Sequence, residues 1–154
     1  MSKGKAFLVV GHKNWGKSTT LKALTGGKRP RRWEIESIVF FIRRMSNDDY
    51  PKDFLKLVIK FDSDDKPYVI AALCPTFTDE KKLPVIRAIL DALKRKYKLF
   101  FFVLQHKCKN PKRIITEDEI DKLERYGTVK VFHPERARPK VIADAFQTFV
   151  MKYA

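Results

Sequence analysis

A chain of 154 residues that is 44% hydrophobic has the size of one ordinary domain and enough apolar material for a buried core. No window offers the roughly 18 apolar residues of a membrane span. Residues 1–5 lead into a strand-like run instead of a signal peptide, and Cys74 and Cys108 are too far apart for a C-x-x-C metal or redox pair. Thirty-three Lys and Arg against 18 Asp and Glu leave a formal charge of +15, which points to a polyanionic partner such as nucleic acid unless it is a solvated, lysine-rich surface. The expectation is a cytoplasmic protein forming one domain over residues 1–154, without membrane association and with its oligomeric state left open by the residues.

Apolar runs and segments of helical period alternate from one end to the other, the pattern of an α/β fold. Residues 6–10 are apolar without a break, as a strand buried on both faces of a parallel sheet must be. A helix follows over 19–25, stopped by Gly26 and Gly27. Residues 37–42 form the next buried strand. Residues 53–62 are ambiguous: Phe54, Leu55, Val58 and Ile59 fit a helix, whereas Leu55, Leu57, Ile59 and Phe61 fit a strand that would pair with 68–73 through Ser63, Asp64 and Asp65. Pro51, just inside the start and preceded by Asp48 and Asp49, favours the helix.

Residues 68–73 read as a third strand. Pro84 then opens a helix in which Ile86, Ile89, Leu90, Leu93 and Tyr97 recur at helical spacing. After a fourth strand over 99–104, Thr116 and Glu119 form a capping box ahead of Ile120 and Leu123. Residues 128–132 make a fifth strand, and Val141, Ile142, Ala145, Phe146, Phe149 and Val150 form a helical stripe of the kind that faces a core. The sum is a three-layer α/β domain with a mainly parallel sheet of about five strands flanked by helices.

Between the first strand and the first helix stands Gly11-His12-Lys13-Asn14-Trp15-Gly16-Lys17-Ser18, followed by Thr19. The stretch fits G-x-x-x-x-G-K-[ST] at every fixed position. Glycines let the backbone curl until successive N–H groups face a common centre, and the helix behind adds its positive end, so such a loop suits phosphate oxygens. This segment resembles the Walker A motif of the P-loop NTPase superfamily; the resemblance is close over residues 5–26 and is only a general α/β pattern elsewhere.

The resemblance implies that the loop from Gly11 to Thr19 binds a nucleoside triphosphate with Mg2+, Lys17 reaching the β and γ phosphates and the Ser18 hydroxyl ligating the metal. Lys13 would add a second cation beside charge developing on the γ phosphate, which makes Lys17 and Lys13 the candidate catalytic residues. Trp15 sits where the chain is expected to be exposed, either stacking on a base or partner or covering the loop. His12 is expected to fill space instead of acting as a base, since phosphoryl transfer asks for positioning more than proton abstraction.

The family's second magnesium group, an Asp closing an apolar strand, has no clean counterpart. Residues 68–73 run into Cys74, Pro75 and Thr76, while the substitutes Asp62, Asp79 and Glu80 suit turns or helix caps at least as well. In place of the GTPase motifs D-x-x-G and N-K-x-D stand Cys74-Pro75-Thr76-Phe77 and His106-Lys107-Cys108-Lys109, the latter with a cation where the guanine-reading Asp belongs. Residues 27–36 also lack a magnesium-binding threonine. ATP is therefore expected over GTP.

Cations gather at Lys28-Arg29-Pro30-Arg31-Arg32, at Arg43-Arg44, over 94–98 and over 107–113, with Arg136 and Arg138 beyond. Arg43, Arg44 and residues 107–113 follow strands and are expected on the face of the phosphate loop, whereas 94–98 suits a helix end. Hydrolysis coupled to nucleic-acid binding is the first reading, with Arg31, Arg32, Trp33, Lys107, Lys109 and Arg113 as contacts. A phosphotransferase whose loop over 106–113 forms a cationic lid is the second. A non-catalytic nucleotide-binding subunit is the third.

Overall fold

The structure, a computed structural model, describes residues 3–154 except 13, 14, 29, 45, 48, 49, 108, 109, 135 and 136; the side chains of residues 107 and 110–113 also lie outside the description. In chain order the elements are β1 (Gly4–Val10), α1 (Lys17–Leu24), β2 (Arg32–Ile35), β3 (Ile38–Arg43), α2 (Pro51–Lys60), β4 (Tyr68–Leu73) and α3 (Leu83–Lys96). They continue with β5 (Tyr97–Leu104), β6 (His106–Lys107), β7 (Asn110–Ile114), α4 (Glu117–Glu124), β8 (Gly127–Phe132) and α5 (Pro139–Tyr153).

One sheet of six strands runs in the order β2-β3-β4-β1-β5-β8, and β6 and β7 form a separate hairpin. All neighbours in the large sheet are parallel except β2 and β3. β1 is central: Val10 is level with Leu73 of β4 on one side and with Val103 of β5 on the other. Its unbroken apolar run, Ala6 to Val10 at 0% exposure, is what two covered faces require.

Parallel crossovers share one hand, so the direction of travel across the sheet decides which face a helix covers. From β1 the chain moves to β3, then returns through β4, β5 and β8. Accordingly α1 packs with α5 over Phe7, Val9, Phe100 and Phe102, while α2, α3 and α4 cover Leu8, Val10, Val69 and Phe101. Travel reverses at β1. The crevice at its carboxyl end is where an open α/β sheet takes a ligand.

The expectation of about five strands becomes six, because residues 32–35 pair antiparallel with β3. Only Trp33 and Ile35 of that edge strand pack inward, so no apolar run announces it. Ser37 is not strand: with Glu36 it forms the connecting turn, at φ 69° and 48°, and the strand starts at Ile38. The hairpin β6–β7 was likewise hidden, by its cations. Residues 53–62 resolve as helix through Lys60, with Pro51 in the first turn. Tyr97 closes no helix; α3 ends at Lys96 and Tyr97 begins β5, its hydroxyl donating to Lys66 O at 2.8 Å. In α5, Val141 points to solvent while Ile142, Phe146, Phe149 and Val150 are buried.

Helices in this fold direct their C-terminal carbonyls to the amino edge of the sheet, and lysines meet them there. Lys96 Nζ donates to Val58 O, Ile59 O and Phe61 O at 3.3, 2.6 and 2.7 Å, closing the end of α2. Lys3 reaches Lys94 O, Lys94 reaches Arg125 O, and Lys5 reaches Tyr153 O and Ala154 O, serving α3, α4 and α5 in turn. Part of the basic composition therefore neutralises helix dipoles. Replacing Lys96 by Met should cost about 1–2 kcal/mol and lower the melting temperature by roughly 3–6 °C, checked by calorimetry.

Among the described residues, no helix is long and apolar enough to cross a membrane.

Candidate phosphate-binding site

Gly11 continues the β1 ladder by one bond, its N–H donating to Leu73 O at 3.0 Å, before the chain turns. The turn is tight. Trp15 N donates to His12 O at 3.1 Å, and Lys17 Nζ donates to the same carbonyl at 2.9 Å. A Cβ on Gly11 would stand 3.2 Å from Trp15 Cβ and 3.4 Å from Lys17 Cγ, so the absence of a side chain there lets the loop fold back over its own origin. Gly16 takes φ 100°, a backbone angle that any other residue would adopt only under strain, and hands the chain into α1.

The first turn of α1 carries no acidic residue, and among the described residues no side chain caps it. Lys17 is 6% exposed, whereas Ser18 and Thr19 face solvent. Lys13 and Asn14 lie outside the described residues. Trp15 departs from the expectation of exposure: it is 3% exposed and belongs to the core under α3 and α4, because Gly11 leaves room for it beneath the loop. Of the two roles open to it, covering the loop is the one observed. Its ring also borders a small cleft formed with Gln105 and His106 after β5 and with Phe132, Pro134 and Ala137 around the end of β8.

His12 does more than fill space. Its Nε2 lies 3.0 Å from Glu119 Oε2, its Nδ1 lies 3.8 Å from Cys74 Sγ, and its ring meets Trp15 edge-on at 5.0 Å. Burial opposes a charge on the imidazole, but the bonds to Cys74 and Glu119 outweigh it and raise the pKa to about 9, from an ordinary 6.5. Burial pushes the Glu119 carboxyl up, and the bonds from His12 and Thr116 more than reverse this, holding it below the usual range. An ionised pair follows at neutral pH.

Three more segments close on this point. Cys74, 4% exposed, takes the place at the end of β4 where the family resemblance called for an acid. Its backbone is gripped by Asn47, which donates from Nδ2 to Cys74 O at 2.9 Å and accepts from Cys74 N at 2.7 Å. Asn47 is 1% exposed and had no visible signal in the sequence. Glu119 was legible as the capping residue of α4, which it is, yet nothing in its spacing pointed to His12.

The proposed acid substitutes fall elsewhere. Asp62 follows α2 at the amino edge of the sheet, opposite the loop from Gly11 to Thr19, and accepts from Asp64 N at 2.9 Å. Asp79 accepts from Lys81 N at 2.9 Å as a turn carboxylate, and Glu80 is exposed. Asp48, Asp49 and Cys108 lie outside the described residues. Among those described, no group of three His, Cys, Asp or Glu could hold a metal ion.

The cationic candidates do not form one strip. Arg31, Arg32 and Trp33 border or form β2, the edge strand three places from β1, with Trp33 half-buried against the core beside α1 and α5. The hairpin carrying Lys107, Lys109 and Arg113 follows β5 on the other side of β1; Lys109 and the side chains of Lys107 and Arg113 are outside the described residues, as are Arg29 and Arg136. Arg43 ends β3 and Arg44 follows, at the same edge as Gly11, and Arg44 Nη2 donates to Lys28 O. Arg43 stacks 4.7 Å from the Phe41 ring centroid.

No family model matches the chain, and no curated protein matches it.

Proposed function

We propose that the chain binds a nucleoside triphosphate, ATP before GTP, through the loop from Gly11 to Thr19 as a member of the P-loop superfamily, and that a polyanion, nucleic acid first, governs its hydrolysis. One observation carries this reading: a loop folded back on Gly11 brings the Lys17 ammonium to the tip of the central strand, beside an α-helix N-terminus that no side chain caps among the described residues. Backbone amides and one ammonium at a topological switch point suit a phosphate chain. The residues fit Mg2+ only in part. Ser18, exposed in the first turn of α1, would offer its hydroxyl, and the metal would neutralise charge shared by the β and γ phosphates.

The cleft between Trp15, Gln105, His106 and Pro134, next to the loop, holds about 10 Å³, the space of one water, and is too small as it stands to take a base. Gln105 there is tied to His133, Oε1 to Nδ1 at 2.6 Å. Arg43, Arg44 and the β6–β7 hairpin stand at the same edge as the loop, and supply the charge for a polyanion.

A second reading, a nucleotide-binding subunit without hydrolysis, is favoured by one feature: Cys74 and Pro75 occupy the end of β4, and the described carboxylate at the loop, Glu119, is engaged with His12. Titration calorimetry with Mg-ATP, followed by phosphate release with and without single-stranded DNA or RNA, separates the readings. Release that rises with the polyanion and falls steeply with salt supports coupling. Binding without release leaves the subunit, and no affinity for any triphosphate overturns both.

A further inference from the structure

We propose that Glu119 is a positioning residue for the phosphate loop, acting through His12, so that capture of a triphosphate by Lys17 depends on the charge of the His12 imidazole. The inference rests on the phosphate-binding reading above and adds to it a linkage between that site and α4.

The two oxygens of Glu119 have different work. Oε1 accepts from Thr116 N and Oγ1, each at 3.2 Å, and Thr116 Oγ1 accepts from Glu119 N at 3.3 Å, which completes the capping box of α4. Glutamine at this position would serve that purpose equally. Oε2 is different. It is buried, Glu119 being 4% exposed, and among the described residues it has no partner besides the imidazole at 3.0 Å. A charged oxygen so placed is costly unless its partner is charged as well.

His12 in turn fixes the loop. Its ring is held from α4 by Glu119, from the end of β4 by Cys74 and from the loop by Trp15, and its carbonyl accepts from Lys17 Nζ at 2.9 Å. An ammonium has three N–H donors, so Lys17 can hold that carbonyl and phosphate oxygens together, and the orientation of His12 sets where the ammonium stands. The titratable groups facing His12 among the described residues are Glu119 on α4, Cys74 after β4 and Lys17 on α1. With a folded pKa raised to about 9, the pair is fully formed at neutral pH and is lost as pH rises through that value.

Glu119→Gln keeps the capping box and removes the ion pair, and two readouts test it: the titration of the His12 ring by NMR and the Mg-ATP dissociation constant from pH 6 to 10. In the native chain affinity should be level through neutral pH and weaken above about 9. In Glu119→Gln the His12 midpoint should fall by about two units, and at pH 8 affinity should be roughly five- to tenfold weaker, the gap narrowing toward pH 6. Thr116→Ala, which loosens the cap but leaves Oε2 on His12, should lower the melting temperature without moving either profile. An unmoved His12 midpoint in Glu119→Gln, or an unmoved affinity profile, overturns the proposal; so does Thr116→Ala shifting affinity as Glu119→Gln does. If the native chain binds neither ATP, GTP nor inorganic triphosphate, the phosphate-binding reading fails and the proposal with it, while the His12 midpoint still reports whether the pair exists.

Discussion

Lys17→Ala should abolish triphosphate binding at micromolar concentrations and leave a folded protein. Charge-assisted hydrogen bonds contribute about 1.5–3 kcal/mol each. An ammonium shared by two phosphate groups makes at least two of them, so its removal should weaken the dissociation constant by roughly two orders of magnitude or more. The fold has less at stake. Lys17 is 6% exposed because its stem lies over Gly11, but its ammonium bonds a loop carbonyl, and the cores on both faces of the sheet do not depend on it. The melting temperature should therefore move by only a few degrees, about 1 kcal/mol in a domain of this size. Calorimetric titration of the variant with Mg-ATP and a thermal melt decide the matter; a native-like dissociation constant would remove Lys17 from the site and the phosphate loop with it.

What could be read in the sequence was what the backbone itself dictates. Buried parallel strands need apolar residues on both faces, so β1, β4 and β5 stood out as unbroken runs. The loop from Gly11 to Ser18 stood out because a backbone that curls over itself needs glycine at fixed places, and at Gly11 and Gly16 the structure does use that freedom. Residues 51–60 were settled by Pro51, whose fixed φ suits a first helical turn.

What the sequence concealed has physical causes too. β2 escaped because an edge strand buries one face only, and its turn, Glu36 and Ser37, reaches positive φ without a glycine to announce it. Trp15 was expected outside because a phosphate loop must be accessible, but the side chain packs into the core and buries its own surface. Glu119 already had a local explanation as a helix cap, and contacts between residues 107 positions apart leave no mark on local spacing. The cluster over 94–98 was legible as a helix end: Lys94 and Lys96, with Lys3 and Lys5, are engaged with helix ends at the edge away from the loop that follows β1.

Asn47→Ala should be the most damaging single change near the site, at about 2–4 kcal/mol. Asn47 is 1% exposed and replaces a strand neighbour for Cys74, accepting from its N–H at 2.7 Å and donating to its carbonyl at 2.9 Å. Truncation leaves the carbonyl one partner, Thr76 N at 2.9 Å, but strips the buried N–H of its acceptor and opens a void. An orphaned buried donor alone costs about 1–3 kcal/mol, and at roughly 2–4 °C per kcal/mol the melting temperature should drop by about 4–16 °C. The damage should also be local. Asn47 ties the segment after β3 to the end of β4, where Cys74 faces His12, so the Cys74 amide should exchange with solvent faster than amides of β1 do. A melting temperature within about 2 °C of native, or uniform acceleration of exchange through the sheet, would show that the segment after β3 is held by other contacts.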